Sequence, residues 1–387
     1  MTIKVLHLID SGGLYGAEMV LLNLVEEQVK VGLKPLVLSA GTPDIVEKPI
    51  ERAAQERNLP VCKWRMKAGL NLTEALKILR FAQREGVHVI HSHGYKFNLL
   101  MGIWPKSLRK IPVITTVHGY VVAPRYSKMW LYQKLDRLIL PRIEKVVFVS
   151  RAMLDQSFFK DLKLNSYVVV NNGINIEAES HKLCEQAKQS HELISKFIAN
   201  RNGPVIGAIG RLAKEKGYNF LLAAFKEVLS DYPDALLVIV GEGPERKNLE
   251  DAIDALEIKK SVLLAGFQTQ VYHFLRSFDL YVMPSLTEAM PMGILEAMLA
   301  RAPIIASAVG GIPECLEGGK AGVLVPPADV PALTNALRSL LETGEKRQEL
   351  TEMANVLVRS RYSSKSMSDN YHLIYRQITG EIVGLTI

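Results

Sequence analysis

Short runs of β-branched and aliphatic residues alternate along the chain with longer segments in which apolar residues recur at helical spacing. In the first half, this pattern predicts strands over residues 5–9, 36–39, 87–91, 113–117, 146–149 and 167–170, and helices over 17–31 and 72–84. Alternation of this kind is typical of βαβ units, in which helices cover both faces of a parallel sheet. The first half therefore predicts an α/β domain.

A second series of the same kind begins near residue 205. It predicts strands over residues 205–209, 235–240, 262–265, 280–283 and 303–306, and a helix over 218–230. We therefore expect an α/β protein of two Rossmann-like, doubly wound domains, at residues 1–175 and 204–362, facing a cleft. Residues 176–203 are rich in polar side chains and predict a linker with a surface helix. A last amphipathic helix is predicted over 363–378. Ligands of such sheets bind at the carboxyl ends of the strands.

The composition of the 387 residues, 48% hydrophobic and 22% charged, is that of a globular protein and excludes a disordered or collagen-like chain. No stretch of 18 residues is free of charge, so a membrane-spanning helix is not expected. The three cysteines, Cys62, Cys184 and Cys315, are far apart and predict neither a disulfide framework nor a zinc site. The N-terminus has the pattern of a buried strand, not of a signal peptide. We expect a cytoplasmic protein.

The net charge of +7 is concentrated in one part of the chain. Residues 51–151 carry 19 Lys and Arg against 6 Asp and Glu, whereas residues 201–387 carry 19 against 22. Within the basic region, residues 125–138 mix cations with Trp, Tyr and Leu, a composition that suits an anionic membrane surface and equally a packed helix with a solvated face. A peripheral position on the inner face of the membrane is one prediction. No nucleic-acid-binding motif accompanies the charge, so nucleic acid is not an expected partner.

A glycine-rich turn follows the first predicted strand. Gly12, Gly13 and Gly16 stand between this strand and the next helix, where backbone could approach a phosphate at a helix N-terminus. The spacing is GGxxG, not the GxGxxG of dinucleotide-binding domains. Ser39 and Ala40 occupy the place where a nicotinamide enzyme needs an acidic residue. The turn therefore disfavours a dehydrogenase, and a tight turn without a ligand remains an alternative.

A basic loop over residues 210–217 follows the first strand of the second series. Arg211 offers a planar set of donors and Lys216 a mobile point charge, which together suit a diphosphate. A solvated loop without a ligand is the alternative.

Residues 285–298 carry the most specific pattern in the chain. A strand runs into a loop that contains Glu288, and Pro291 is predicted to start a helix whose first amides form an anion site. Glu296 follows about a turn and a half later, where it could accept hydrogen bonds from ribose hydroxyls. The amides predicted to face the anion belong to Met292, Gly293, Ile294 and Leu295.

The pair Glu288 and Glu296, separated by seven residues and followed by Ala297 and Met298, resembles the signature of the family 4 (group 1) retaining glycosyltransferases, which have the GT-B fold. Other segments resemble the family in the expected order and cover nearly the whole chain. These segments are 11–13, 16–18, 116–119, 171–174, 210–211, 216–217, 240–244, 310–314 and 322–326.

The resemblance implies roles for the donor-side residues. Arg211 and Lys216 would bind the donor diphosphate and stabilise the leaving nucleotide, and Glu296 would hold the ribose. Glu288 would bind the transferred sugar, together with the amides after the proline. Gly12 and Gly13 would border the diphosphate from the N-terminal domain. The resemblance also implies that this domain takes the acceptor and that the last helix, with residues 363–387, crosses back onto it.

Histidines are the other candidates for chemistry. The resemblance places His118 at the transferred sugar, although Gly119 stands where the family usually has an aspartate. His93 and Tyr15 are expected on the acceptor side. His91 and His93 lack a companion carboxylate or cysteine cluster, so a metal is not expected, and the family normally needs none.

We therefore predict a retaining glycosyltransferase that moves a sugar from a nucleotide sugar to a hydroxyl acceptor, such as a sugar or glycolipid, in cell-surface polysaccharide or glycolipid assembly. The catalytic group is predicted to be His118, Glu288, Arg211 and Lys216. A GT-B nucleotide-sugar epimerase or phosphorylase, and a non-catalytic protein that binds nucleotide sugars or lipids, are the alternatives.

Overall fold

In the computed structural model, the chain forms two compact units. The first unit contains the residues up to Gly173 together with those from Ser364 on, and the second contains Ile174–Ser363. The structure describes residues 2–10, 12–119, 123–164, 166–187, 191–199 and 202–382. Each unit is built on one parallel sheet with helices between its strands, so the predicted fold class is confirmed. Ser11, part of the predicted glycine-rich turn, lies outside the described residues.

The first unit has a seven-stranded sheet in the order β3-β2-β1-β4-β5-β6-β7. Its strands are β1 (Lys4–Ile9), β2 (Lys34–Gly41), β3 (Val61–Arg65), β4 (Val89–Ser92), β5 (Val113–Val117), β6 (Lys145–Phe148) and β7 (Tyr167–Val169). Its helices before the second unit are α1 (Gly16–Lys30), α2 (Pro49–Glu56), α3 (Leu72–Arg84), α4 (Tyr95–Gly102), α5 (Lys106–Arg109) and α6 (Lys128–Ile139).

Strand β3 at the edge of this sheet was not predicted from the sequence. Its side chains are partly buried or exposed, and it alternates apolar residues with Lys63 and Arg65, so it lacks a continuous apolar run. Arg65 instead forms an ion pair of 2.8 Å with the buried carboxylate of Glu51 on α2. An edge strand needs only one hydrogen-bonded neighbour, which here is β2.

The second unit has a six-stranded sheet in the order β10-β9-β8-β11-β12-β13. Its strands are β8 (Val205–Ile209), β9 (Leu236–Val240), β10 (Val262–Gly266), β11 (Leu280–Met283), β12 (Ile304–Ser307) and β13 (Val323–Val325). Its helices are α7 (Ile176–Ala187), α8 (Glu192–Ile198), α9 (Tyr218–Val228), α10 (Arg246–Ala255), α11 (Val271–Ser277), α12 (Met292–Leu299), α13 (Ile312–Cys315), α14 (Val330–Glu342) and α15 (Gly344–Ser360).

Helices α7 and α8 occupy the stretch that we interpreted as a linker with a surface helix. Both belong to the second unit. Tyr272 on α11 donates a hydrogen bond of 3.0 Å from its hydroxyl to Glu179 on α7. This stretch is therefore packed structure, whose polar composition reflects its exposed face.

Strands β8 and β11 are neighbours in the middle of the second sheet, with Leu280 opposite Ile206 and Tyr281 opposite Gly207. Both strands are buried almost throughout, as is typical of parallel strands covered on two faces. Because parallel strands end at the same edge of a sheet, the loops that follow β8 and β11 lie side by side. These two loops carry the donor-side residues predicted from the sequence.

The last helix, α16 (Ser364–Ile378), belongs to the first unit and packs against α1. The amide nitrogen of Gln28 on α1 donates a hydrogen bond of 3.1 Å to the hydroxyl of Tyr375. The predicted C-terminal helix and its return to the N-terminal part of the chain are thus observed. Among the described helices, none is long and apolar enough to cross a membrane.

Candidate active site

The loops after β8 and β11 are joined by an ion pair between Lys216 and Glu288. The Lys216 Nζ lies 2.6 Å from Glu288 Oε1, and the hydroxyl of Ser285 donates a 2.8 Å hydrogen bond to the same oxygen. Both side chains of the pair are mostly buried. The backbone amide of Leu286 also donates to the carbonyl oxygen of Glu215 at 2.8 Å. The structure therefore brings the two predicted residues into direct contact.

Two glycines allow neighbouring loops to approach the loop that follows β11. Gly217 has φ +65°, and a Cβ there would lie 2.2 Å from the carbonyl oxygen of Pro284. Gly310 has φ +53°, and a Cβ there would lie 1.6 Å from the carbonyl oxygen of Glu288. Both positions favour glycine on conformation and exclude any larger residue on space. Gly217 therefore lets the loop after β8 approach Pro284, and Gly310 lets the loop after β12 approach the backbone of Glu288.

Helix α12 begins one residue later than the sequence predicted. Pro291 has extended backbone angles and precedes the helix, so it is not the first helical residue. The amide of Ile294 donates to the carbonyl of Pro291 at 3.3 Å, which corrects the prediction that this amide is unpaired. The helix can still offer its first amides, those of Met292 and Gly293, to an anion.

Gly293 makes room at this helix start. A Cβ there would lie 2.9 Å from the hydroxyl oxygen of Tyr281, a buried residue on β11. That hydroxyl has no hydrogen-bond partner among the described residues. Tyr281 was not predicted as a site residue, because a tyrosine within an apolar strand looks like an ordinary core residue.

Glu296 lies on α12 beside helix α7. Burial, and then the nearby carboxylate of Glu179, raise the pKa of Glu296 to about 7, and Lys182 opposes the shift. Glu179 itself pairs with Lys182 at 2.8 Å. Glu296 is thus a carboxyl group that changes its charge near neutral pH.

Arg211 is exposed and forms an ion pair with Glu215 within the same loop. The Arg211 guanidinium therefore contacts the carboxylate of Glu215, the residue that precedes Lys216 in the sequence. Burial alone would raise the pKa of Glu215. Hydrogen bonds from its own backbone amide and from Arg211 outweigh burial and hold this pKa below its usual range.

In the first unit, the glycine-rich turn precedes α1. A Cβ at Gly13 would lie 2.4 Å from the ring of Tyr15, so this ring packs over the glycine. The backbone amide of Tyr15 donates to the carboxylate of Glu18 at 2.8 Å, which closes the first turn of the helix. The ring of Tyr15 is largely exposed. Gly12 lines a cavity on the same edge of the sheet.

This cavity has a volume of about 810 Å³ and lies at the carboxyl ends of β1, β2 and β4. The buried Lys48 and the partly exposed Lys96 pair with the two carboxylate oxygens of Asp10 at 3.0 and 2.6 Å. Burial would raise the pKa of Asp10, but the hydrogen bonds from both lysines hold it below its usual range. His93 and Lys128 are also among the lining residues.

His118 and His93 are joined by a hydrogen bond of 3.0 Å between His118 Nε2 and His93 Nδ1. His93 Nε2 lies 3.0 Å from Nδ1 of His7, which the sequence analysis missed. Burial lowers the pKa of His118 and of His7 to about 4. A histidine within the apolar first strand was the available signal, because a buried polar side chain needs a partner.

One ring nitrogen from each of His7, His91 and His93 lies within 4.8 Å of the other two, close enough to hold a metal ion. Each of these nitrogens already has a hydrogen-bond partner. His91 bonds to the hydroxyls of Tyr375 and Thr116, at 2.9 and 2.8 Å. The absence of a metal remains a prediction, and a metal would have to replace several of these bonds.

Two family models match the chain in succession. Residues 15–178 match glycosyltransferase family 4, and residues 189–356 match the glycosyl transferases group 1. Together they span more than four fifths of the chain.

Individual relatives agree with this match. The 2-deoxystreptamine N-acetyl-D-glucosaminyltransferase of Streptomyces fradiae is 24% identical over 393 residues, which cover 94% of this chain and 92% of that protein. The alpha-D-kanosaminyltransferase of Streptomyces kanamyceticus is 34% identical over 179 residues. That alignment covers 45% of this chain and 46% of that enzyme, so it spans about half of each protein.

The fold is also that of solved structures. The Anabaena protein HepE, solved in complex with UDP, superposes with a TM-score of 0.79 at 20% sequence identity, over 96% of this chain and 99% of that one. At this identity the likeness establishes the fold.

Proposed function

Because the chain belongs to the family 4, group 1 glycosyltransferases and has the GT-B fold, we propose that it transfers a sugar from a nucleotide sugar to a hydroxyl acceptor with retention of configuration. That it is a glycosyltransferase follows from the family. The observation that supports the donor site is the contact between Lys216 and Glu288, which unites the two loops at the carboxyl ends of β8 and β11.

The second unit would bind the donor. Lys216 and Arg211 would neutralise the diphosphate in place of a metal ion, with the first amides of α12 beyond them. Glu288 would accept hydrogen bonds from hydroxyls of the transferred sugar, and Glu296 would accept them from the ribose. Ile294 and Leu295, which follow these amides, lie in the core and anchor the start of α12.

The reaction would proceed by front-face substitution. The bond between the sugar and the diphosphate breaks first, and the leaving phosphate accepts the proton of the acceptor hydroxyl as that oxygen bonds to the anomeric carbon on the same face. Fixed cations at the leaving group stabilise the charge that develops there. In a reaction with an α-linked donor, NMR of the product should show an α-linked anomeric proton, and a β-linked product would contradict retention.

The first unit would bind the acceptor, in the cavity beside His93 and Gly12. The cavity lining carries three lysines, Lys48, Lys96 and Lys128, and one carboxylate, Asp10. This excess of positive charge favours an acceptor with an anionic group near its reactive hydroxyl. A phosphorylated sugar and a lipid-linked phosphate both fit this description, in keeping with the family's work in glycolipid and polysaccharide assembly.

Donor binding should weaken as the pH falls through 7. The ionised form of Glu296 accepts hydrogen bonds from both ribose hydroxyls, whereas its protonated form has lost part of that capacity. Because the pKa of Glu296 is about 7, this carboxyl group is ionised in few protein molecules at pH 6 and in most of them at pH 8. If the ionised form alone binds, affinity falls about tenfold between pH 8 and pH 6. Titration calorimetry measures the donor affinity at each pH. The ligand is the one of UDP-glucose, GDP-mannose and ADP-glucose that binds.

Two variants control this experiment. Glu296→Gln should bind the donor more weakly at both pH values and show a flat profile. Glu179→Gln removes a neighbouring negative charge, so the pKa of Glu296 should fall and the midpoint should move to lower pH. Equal affinities of the wild-type protein at pH 6 and pH 8 would refute the ribose role.

Helix α6 supports a second surface on the first unit. Leu131 and Leu138 are more than half exposed, and Lys128 and Lys134 are exposed on the same helix. An exposed helix with apolar and basic residues suits the headgroup region of an anionic bilayer. We propose that α6 docks peripherally on such a surface, which would bring the enzyme to a lipid-linked acceptor.

The docking proposal predicts co-sedimentation with vesicles that contain phosphatidylglycerol at low salt, and release at high salt. Lys128→Glu combined with Lys134→Glu should abolish binding. The matched control is Lys226→Glu with Lys346→Glu, which reverses two exposed charges on the second unit and should leave binding unchanged. Equal loss in both double variants would show a net-charge effect and contradict docking through α6.

A further inference from the structure

A continuous chain of hydrogen bonds runs from His118 into the core of the first unit. It passes from His118 to His93 and then to His7, at 3.0 Å in each step. His7 Nε2 lies 2.9 Å from Oε1 of Gln28, whose amide nitrogen donates to the hydroxyl of Tyr375 at 3.1 Å. His7, His93 and Gln28 are almost completely buried. We propose that Gln28, His7 and His93 are positioning residues, which fix the ring orientation of His118 and its Nε2–H tautomer.

The direction of the chain follows from the side chain of Gln28. Its carbonyl oxygen faces His7 and can only accept, so His7 carries its hydrogen on Nε2. A neutral imidazole has one donor and one acceptor, so Nδ1 of His7 accepts from Nε2–H of His93. By the same rule, Nδ1 of His93 accepts from Nε2–H of His118.

The rings of the four histidines are neutral. Burial holds the pKa values of His91 and His93 well below the usual range, and those of His7 and His118 at about 4. At physiological pH each ring therefore carries one hydrogen, and the chain is a set of oriented dipoles. It transmits orientation, not charge.

The second branch of the network agrees with the same direction. The hydroxyl of Tyr375 accepts a hydrogen bond from the amide nitrogen of Gln28 and can donate one to Nδ1 of His91 at 2.9 Å. Nε2–H of His91 then donates to the hydroxyl of Thr116 at 2.8 Å, which lies 2.6 Å from that of Tyr371. Reversal of Gln28 would reverse both branches, so this one amide sets the direction of the whole network.

The end of the chain leaves Nδ1 of His118 as the only acceptor of that ring. This nitrogen is buried and has no partner among the described residues. The inference rests on the proposed function in one respect, that His118 contacts the transferred sugar, whose hydroxyl would donate to Nδ1. It also answers what orients His118 in a chain that has Gly119 at the place of the family's aspartate.

Nitrogen NMR of protein labelled at histidine tests the tautomer directly, without donor or acceptor. The His118 signals are assigned by their loss in His118→Asn. In the wild-type protein, Nε2 should resonate as a protonated nitrogen and Nδ1 as an unprotonated one. Gln28→Met removes the carbonyl that sets the direction, so the His118 signals should shift towards a mixture of tautomers. An Nδ1–H tautomer in the wild type would overturn the proposal.

Gln28→Glu is the matched variant, because a protonated carboxyl group can still accept from His7 through one oxygen and donate to Tyr375 through the other. It should keep the wild-type tautomer and turnover. Gln28→Met should instead lose turnover by at least about tenfold, the scale known for hydrogen-bond partners of metal-ligating histidines, with little change in the KM for the donor. Equal losses in both variants would show a purely structural role and contradict positioning.

The two possible failures are distinguishable. Unchanged turnover in His118→Ala would refute the role of His118 in the proposed function. An unchanged His118 tautomer in Gln28→Met would refute the positioning chain, whatever the turnover.

Discussion

Lys216→Ala should lower the turnover number by at least about 100-fold, the scale on which enzymes lose a transition-state contact to a developing negative charge. The substitution removes the cation proposed to meet the leaving diphosphate. It also leaves Glu288, whose side chain is largely buried, without the ammonium group that lies 2.6 Å from it. An unpaired carboxylate would then face the anionic donor, so both effects act in the same direction. Steady-state kinetics with saturating acceptor measures the loss.

Lys214→Ala is the matched control for this variant. Lys214 belongs to the same 3-10 turn as Lys216, but its side chain is exposed. Its removal changes the charge of the loop equally and should leave turnover within about twofold, as surface substitutions generally do. Lys216→Arg keeps a cation and should recover part of the loss. Near-wild-type turnover in Lys216→Ala, or an equal loss in Lys214→Ala, would contradict the proposed role of the diphosphate contact.

Glu288→Gln should also lower turnover by at least about 100-fold. Glutamine keeps the size of the side chain and an oxygen that can accept from Ser285, so the loops should remain in place. The expected loss of turnover therefore comes from the missing negative charge of Glu288. A carboxylate accepts hydrogen bonds from sugar hydroxyls more strongly than an amide, and it favours the positive charge that develops on the sugar in the transition state.

Two further variants separate charge from architecture at Glu288. Glu349→Gln makes the same change at an exposed position on α15 and should have no effect beyond about twofold. Ser285→Ala removes one hydrogen bond to Glu288 but keeps the carboxylate, so its loss should be smaller than that of Glu288→Gln. A Glu288→Gln protein with unchanged melting temperature and unchanged turnover would remove Glu288 from the catalytic group.

Much of the fold could be predicted from the sequence because parallel strands buried on both faces require continuous apolar runs. Residues 113–117, 205–209 and 280–283 were predicted as strands with the bounds that the structure has. Strands β3 and β13 were missed because neither is fully buried, and β13 has only three residues. The missed strands lie at the edges of their sheets, where fewer side chains need to be buried and the apolar pattern is weaker.

The candidate site was predictable in its members but not in its contacts. Lys216 and Glu288 were both chosen from motifs, yet they are 72 positions apart, and their ion pair depends on β8 and β11 being neighbours. The bond between Gln28 and Tyr375 spans 347 positions. Neither side chain belongs to a motif, so the network behind His118 becomes visible only in the folded first unit.

The central claim is that the second unit binds a nucleotide sugar through Lys216 without a metal ion. A thermal-shift screen against UDP, GDP, ADP and CMP and their common sugar conjugates, in the presence of EDTA, tests it most directly. A ligand at 100 times its dissociation constant stabilises a protein by about 2.7 kcal/mol, which corresponds to a shift of several degrees. One nucleotide series should stabilise the wild-type protein and clearly less the Lys216→Ala variant. No shift with any nucleotide, or the same shift in both proteins, would contradict the account.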